Sequence, residues 1–287
     1  MVEILRLAFM QRAFLAGIIV AILCPTIGIF LVLRRQSMMG DMFSHLSLAG
    51  VALGFITGIY PLAAALTLSL AAAAAVEVLR RNYRIFSDLA IAIHISAGTS
   101  LAVILISLSR AYNADLFSYL FGSVIAISRR DLYLISAVGL LIIVIISLLR
   151  KELFYIAFDE DGARAAGIRV DVVNTIFVAA TSLTITMAMR VVGILLVSSM
   201  ITVPVAAALQ LGRSFRATVY WSYFIAVSAV CAGLTLAYAG DLAPGGTIVM
   251  CALSLFCLTV FYNKVRRSGG KQHEQTAASD PAEDKGL

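Results

Sequence analysis

Charge is scarce in this chain of 287 residues, because Asp, Glu, Lys and Arg together make up 13% of it against 61% hydrophobic residues. A soluble domain of this length needs far more polar surface than that. The mean hydropathy is +0.97, and the charges gather in short runs between long apolar stretches. This pattern is typical of a polytopic helical membrane protein.

Several sequence motifs are also missing. No Walker A sequence, Ser-His-Asp arrangement or HExxH motif occurs, so we expect that the chain is not an enzyme and that any ATP hydrolysis belongs to a separate subunit. The four cysteines lie in apolar stretches and form no CxxC pair, which argues against a thiolate zinc site. The apolar segment that starts near Ala13 has no A-x-A cleavage site followed by a soluble domain, so we interpret it as a membrane span.

Nine apolar segments approach the ~20 residues that a helix needs to cross the hydrocarbon core. They are 13–33, 39–58, 61–79, 88–108, 131–149, 171–188, 190–211, 217–239 and 245–263. Two boundaries, at Gly58–Pro61 and at Met189–Arg190, are short and allow a count of eight to ten. We therefore predict an all-α, polytopic membrane domain of about nine spans over residues 1–267, followed by a polar, disordered cytoplasmic tail, 268–287.

Basic residues at the ends of the segments indicate the orientation. In a nine-span count, the loops 34–35, 80–84, 150–169 and 211–216 fall on the same side as the basic segment after Phe261. The positive-inside rule assigns that side to the cytoplasm and the N-terminus to the outside. The net charge of +6 therefore orients helices and does not form a phosphate-binding face for nucleic acid.

Asp41 and His45 are the two side chains whose chemistry stands out most. On a helix, positions four apart share one face, so a carboxylate and an imidazole would project together. Ionisable groups at membrane depth are costly and mark ion or substrate paths, and zinc and manganese accept both ligand types. The alternative is structural, with Asp41 capping a helix that enters at Met42 and His45 a buried hydrogen-bonding residue. The spacing alone does not decide between the two.

His94 is a secondary candidate. It lies in the apolar sequence Ala92-Ile93-His94-Ile95-Ser96, inside the segment 88–108. A lone histidine on an apolar face is more often a core residue with its hydrogen bonds satisfied than a metal ligand. The membrane setting favours function without outweighing that alternative.

The segment 157–168 is a candidate docking element for a soluble partner. Three acidic residues, Asp159, Glu160 and Asp161, lead a short Ala/Arg stretch that ends at Gly167. The acidic start suits the helix dipole and the glycine suits a C-cap. A plain surface helix would show the same pattern, but this one lies between two spans on the predicted cytoplasmic side.

With these motifs in this order, the chain resembles the permease subunits of bacterial ABC importers for zinc and manganese, over about residues 6–263. The stretches that carry the resemblance are Phe30–Arg35, Gly40–Gly50, Asp115–Gly122, Phe158–Gly167, and Val192–Leu196 with Pro204. Several such stretches are far more specific than the Asp/His pair alone.

The resemblance implies a permease of type II importer architecture in the bacterial cytoplasmic (inner) membrane. It implies a permease homodimer, a cytoplasmic ATP-binding subunit bound to each copy, and an extracytoplasmic metal-binding protein that delivers the substrate. On this pattern Asp41 and His45 are the metal residues of the pore. The ATPase coupling loop contains the residues Phe158, Asp159, Glu160, Ala163 and Gly167.

The resemblance also bears on the cargo. Manganese-type members carry Pro-Gly after the histidine stretch, whereas Ser47-Leu48-Ala49-Gly50 is similar to the zinc-type members, which often have a histidine near the position of His94. We therefore predict a zinc importer with no tightly bound cofactor and with zinc only as transported substrate. The alternatives are import of manganese or iron, import of a metal chelate, or a stand-alone secondary transporter, which would have no use for the loop 158–168.

Overall fold

A computed structural model of the chain describes the backbone of residues 7–82, 87–109, 113–123 and 127–278. Within these ranges every regular element is a helix. The α-helices are α1 (Ala8–Leu33), α2 (Met39–Thr57), α3 (Pro61–Asn82), α4 (Ser87–Ser109), α5 (Asn113–Phe121), α6 (Arg129–Leu148), α7 (Arg150–Phe158), α8 (Glu160–Ala165), α9 (Val170–Val192), α10 (Val197–Leu211), α11 (Phe215–Gly240) and α12 (Pro244–Ala278). A 3-10 turn, Ile194–Leu196, joins α9 to α10.

Nine helices in the described part of the chain are long and apolar enough to cross a membrane: α1 to α4, α6, and α9 to α12, with the 3-10 turn counted into α10. This confirms the predicted all-α membrane fold and its count of nine. The first span begins at Ala8, earlier than the predicted residue 13. The short helices α5, α7 and α8 lie between spans. The sequence predicted α8 as the helical stretch before Gly167, whereas α5 and α7 were not predicted as separate elements.

The last helix passes the predicted boundary of the membrane domain. The backbone of α12 is helical to Ala278, although its apolar, spanning part ends at Lys264. The first part of the segment predicted to be disordered thus lies in this helix. Residues 279–287 are outside the described residues, so a disordered tail stays a prediction for them.

The basic ends of several spans meet at one end of the bundle, which we call the basic end. Arg34, directly after α1, donates from Nη2 to Oδ1 of Asn174 near the start of α9, at 2.5 Å. Phe215, at the start of α11, packs against Phe30 of α1 and Phe154 of α7, with ring centroids 5.9 and 4.9 Å away. Because α7 and α8 lie at this same end, three of the loops that we predicted to be cytoplasmic, 34–35, 150–169 and 211–216, are neighbours in space.

The break between α9 and α10 lies at the opposite end of α9. Gly193, with φ of +89°, ends α9 three residues after Arg190, where the sequence had suggested the boundary. Its backbone touches that of Gly122 at the end of α5. A Cβ on Gly193 would lie 2.5 Å from the carbonyl oxygen of Leu120, and one on Gly122 would lie 2.5 Å from that of Val191. Only glycine allows this close approach of two backbones.

Candidate metal site and coupling segment

Asp41 and His45 lie on the first two turns of α2. The helix begins at Met39 and its N-cap position is Met38, which makes no side-chain capping hydrogen bond. Asp41 is therefore inside the first turn and does not cap a helix that begins at Met42. His45 follows one turn later, so the two side chains share a face, as the spacing predicts.

This face of α2 is open, unlike the neighbouring positions on the same turns. Met42, Phe43 and Leu46 are buried in the core, whereas Asp41 and His45 are only partly buried. Neither of the two makes a hydrogen bond or an ion pair with any residue that the structure describes. Their oxygen and nitrogen atoms are therefore available to a ligand.

The pair lies near the middle of the bundle. Ser47 of α2 is hydrogen-bonded to Thr186 of α9, Oγ to Oγ1, at 2.8 Å. Thr186 lies about 24 Å along α9 from Val170, at 1.5 Å per residue. Because α2 and α9 run away from the basic end in the same direction, Asp41, about 9 Å before Ser47, lies about 15 Å along the bundle from the start of α9, and α2 itself begins about 12 Å along the bundle from that point. The distance to Asp41 is about half of a hydrocarbon core of about 30 Å.

His94 lies at a similar level on α4 but has a hydrogen bond of its own. Its Nδ1 is 2.8 Å from the carbonyl oxygen of Ala90, one turn earlier on the same helix. Gly98, one turn later, packs closely against Leu46 of α2. A Cβ added at Gly98 would lie only 3.0 Å from Leu46 Cγ. No three His, Cys, Asp or Glu side chains form a possible metal site among the described residues. One chain therefore brings Asp41 and His45 together but does not group His94 with them.

Such a pair is an incomplete ligand set. One carboxylate and one imidazole supply two of the four ligands of a tetrahedral zinc site, or fewer than half of those of an octahedral manganese site. A second copy related by a two-fold axis would add the same two ligands. An incomplete set on an open helix face suits a cation that stops briefly and moves on.

The candidate coupling segment lies in a helical hairpin, α7 and α8, at the basic end. Asp159 ends α7 and caps α8, with its Oδ1 accepting from the N–H of Gly162 at 2.8 Å. Glu160 and Asp161 form the acidic first turn, and Gly167 follows the helix with φ of +83°. Helix α8 therefore has the predicted acidic start and the predicted terminal glycine.

Arg164 fixes α8 to the start of α9. Ala163 is fully buried, and Arg164 donates from Nη2 to Asp171 Oδ1 at 2.7 Å and to Glu160 Oε1 at 3.2 Å. The bond to Asp171, assisted by that to Glu160, raises the pKa of Arg164, so its guanidinium group stays charged. The other side of the hairpin faces outward, with Phe158 68% exposed. A movement of this exposed surface would be transmitted to α9.

A buried ion pair at the opposite end was not predicted. Asp131 of α6 is 0% exposed and accepts from Nε of Arg190 of α9 at 3.3 Å and from the hydroxyl of Tyr60, before α3. Arg190 also lies over the ring of Tyr119 of α5, 4.4 Å from its centroid. Burial, and next the bond to Asp131, raise the pKa of Tyr60, which keeps its donor proton. The only signal in the sequence was a pair of opposite charges at the ends of two spans.

The chain matches the model of the ABC 3 transport family over residues 6–263. It is 36% identical, over 264 residues, to the probable metal transport system membrane protein of Treponema pallidum (strain Nichols), covering 92% of this chain and 99% of that protein. It is 33% identical, over 253 residues, to the manganese import system permease protein ScaB of Streptococcus gordonii, covering 88% and 91%.

Among solved structures, the fold is similar to that of PsaBC from Streptococcus pneumoniae in complex with Fab. The TM-score is 0.80 with 32% sequence identity, and the match covers 90% of this chain and 93% of that chain. The architecture described above is therefore shared with a solved structure along almost the whole chain.

Proposed function

The chain belongs to the ABC 3 transport family, and from that membership we propose that it is the pore-forming subunit of an ATP-driven importer of a divalent transition metal ion. It is a multi-pass membrane permease, in keeping with the predicted bacterial inner membrane and with the nine candidate spans among its described residues. The family implies an ATP-binding subunit and an extracytoplasmic metal-binding protein. We propose a permease homodimer as the form that completes the metal site.

The open pair on α2 is the observation that carries this function. Asp41 and His45 lie near the middle of the bundle, share one helix face, and make no bond with any residue in the described ranges. Two charged or polar groups at that depth are costly without a partner. A cation held between two copies would supply that partner for Asp41 and His45 while it is bound. The site would be ready for the next cation once this one leaves. We propose that both residues hold the cation in transit.

For the cargo we place manganese first. The relative from Streptococcus gordonii is named for manganese import, and this supports manganese at least as well as the pattern Ser47–Gly50 supports zinc. That pattern is mostly buried: Ser47 bonds to Thr186, and Ala49 is 0% exposed. Such residues pack helices and offer no ligand to a metal. Zinc remains the second candidate, since one carboxylate and one imidazole per copy would suit its tetrahedral site.

Coupling to ATP hydrolysis is proposed for the exposed side of the α7–α8 hairpin. Phe158, Asp159 and Glu160 are all exposed there, while Ala163 and Arg164 attach the hairpin to the bundle. An exposed aromatic side chain beside acidic groups is a suitable contact for a soluble partner with a basic groove. Closure of the ATPase subunits would move the hairpin, and α9 with it, so that access to the metal site changes.

Phe158→Ala should weaken binding of the ATP-binding subunit by about 10- to 30-fold, as for an aromatic anchor at an interface. Metal-dependent stimulation of ATP hydrolysis should fall with it. The matched control is Phe261→Ala, because Phe261 has the same 68% exposure but lies on α12. Co-purification of the two subunits from detergent measures the effect. Equal binding by the two variants would contradict a role for Phe158.

Deletion of the segment 158–168, which contains α8, separates an ABC importer from a stand-alone transporter. Replacing residues 158–168 by a short Gly/Ser linker should abolish uptake, whereas a stand-alone transporter would keep it. The deletion removes the Arg164–Asp171 contact, so the melting temperature of the purified variant must be measured alongside. Uptake that survives the deletion would rule out ATP-driven transport through this segment.

A further inference from the structure

A cavity of about 330 Å³ opens between α1, α6 and α11 at the basic end. Phe30 of α1, Ile146 of α6 and Val219 of α11 form its apolar wall. These positions lie near the ends of their helices, so the cavity is at the level of the lipid headgroups and the first acyl carbons. It is separate from Asp41 and His45, neither of which lines it.

Two arginines line the mouth of this cavity, and none of its described lining residues is acidic. Arg150, at the start of α7, and Arg216, at the start of α11, are both exposed. Neither makes a hydrogen bond or an ion pair with any residue that the structure describes. Their guanidinium groups therefore offer donors that match the oxygens of a phosphate, in a geometry that arginine favours.

The lining of the cavity changes from polar at the mouth to mainly apolar inside. Ser147 and Tyr220 also line the cavity and have hydroxyl groups. Deeper, the hydroxyl of Tyr223 lies 3.0 Å from Thr26 Oγ1, which itself donates to the carbonyl oxygen of Ile22 at 2.7 Å. The inner hydroxyl groups are thus already satisfied by the protein. A ligand would meet cationic donors at the mouth and mainly apolar surface inside.

We propose that this cavity is a binding site for an anionic phospholipid of the cytoplasmic leaflet, with Arg150 and Arg216 on the phosphate and the wall of Phe30, Ile146 and Val219 on the first part of an acyl chain. The protein lies in a membrane that supplies such lipids, and basic pockets between helices on this side are suited to them. A soluble anion would use the arginines and leave the apolar wall unfilled. The proposal depends on the membrane orientation and not on the identity of the transported metal.

The site can be tested with the purified permease–ATPase complex in detergent, after removal of bound lipid. The probes are phosphatidylglycerol, phosphatidylcholine with the same acyl chains, and glycerol 3-phosphate, which has no acyl chain. Native mass spectrometry counts the bound molecules in a titration. We expect phosphatidylglycerol to bind to the wild type and glycerol 3-phosphate not to displace it.

The variant Arg150→Gln/Arg216→Gln should lose about 30-fold in affinity for phosphatidylglycerol, the factor expected from two arginines at an anionic headgroup. The matched control is Lys151→Gln/Arg213→Gln, which removes the same charge from neighbouring exposed residues outside the cavity. The control should bind phosphatidylglycerol like the wild type.

Three results would overturn the proposal. Equal losses in the two double variants would mean a diffuse surface charge effect. Equal binding of glycerol 3-phosphate would assign the arginines to a soluble anion. Loss of the ATP-binding subunit from Arg150→Gln/Arg216→Gln, with lipid binding unchanged, would assign this surface to the ATPase interface.

Discussion

His45→Ala should abolish metal uptake while the permease still assembles with its ATP-binding subunit. In a site built from two copies, the change removes both imidazoles and leaves two carboxylates. Mutating a residue that only hydrogen-bonds to a metal ligand lowers metal affinity or activity by about 10- to 100-fold. Loss of two ligands should therefore lower transport by at least about 100-fold. Because His45 is partly exposed and makes no bond within the described part of the chain, the stability should change by only about 0.5 kcal/mol.

The matched control for this variant is His94→Ala. His94 uses its Nδ1 within α4 and does not group with the pair on α2. We expect a much smaller loss of uptake from it. Cellular uptake, co-purification and the melting temperature are measured for both variants. Normal uptake by His45→Ala would remove this residue from the metal path, and equal loss in both variants would add His94 to it.

Asp131→Ala should produce the largest loss of stability among the substitutions considered. The carboxylate of Asp131 is 0% exposed, accepts from Arg190, Tyr60 and the N–H of Ser128, and so ties α6 to α9 and to the turn before α3. Removing the carboxylate takes this partner from the side chain of Arg190, which is only 11% exposed and so has little access to water. Breaking such a buried pair costs about 3–5 kcal/mol. Thermal unfolding in detergent, followed by circular dichroism, measures the change.

A double-mutant cycle separates the ion pair from the other bonds of Asp131. Asp131→Ala/Arg190→Ala should recover part of the loss, because the buried cation is then gone as well. Asp159→Ala serves as the comparison, since it removes an exposed capping carboxylate and should cost about 1 kcal/mol. An Asp131→Ala protein as stable as the Asp159→Ala protein, or a double variant no better than the single one, would contradict the assigned role of the pair.

The elements that the sequence predicted well depend on local pattern. The spans follow from apolar runs, and helix α8 from an acidic start and a terminal glycine, both within about ten residues. The same holds for Asp41 and His45, whose shared face follows from a spacing of four. These features need no knowledge of what lies across the bundle.

The features that the sequence did not predict depend on contacts between distant segments. Asp131 and Arg190 meet only because the ends of α6 and α9 do, and nothing near either residue indicates the other. The break at Gly193 is placed by its contact with the backbone of α5, not by a polar loop. The depth of Asp41 likewise follows from the Ser47–Thr186 bond between two helices.

The most direct test of the account is uptake of radioactive manganese and zinc, each in competition with the other, by cells that express this chain with its genomic ATPase and binding-protein neighbours. Wild type and Asp41→Ala are compared, with an ATPase-inactive strain as the zero level. We predict ATP-dependent uptake, with manganese the stronger competitor, that falls to the zero level in Asp41→Ala. Zinc-selective uptake lost in Asp41→Ala would change the cargo and keep the site. Uptake of neither metal, or uptake that survives in Asp41→Ala, would contradict the central claim that the metal crosses this permease by way of Asp41.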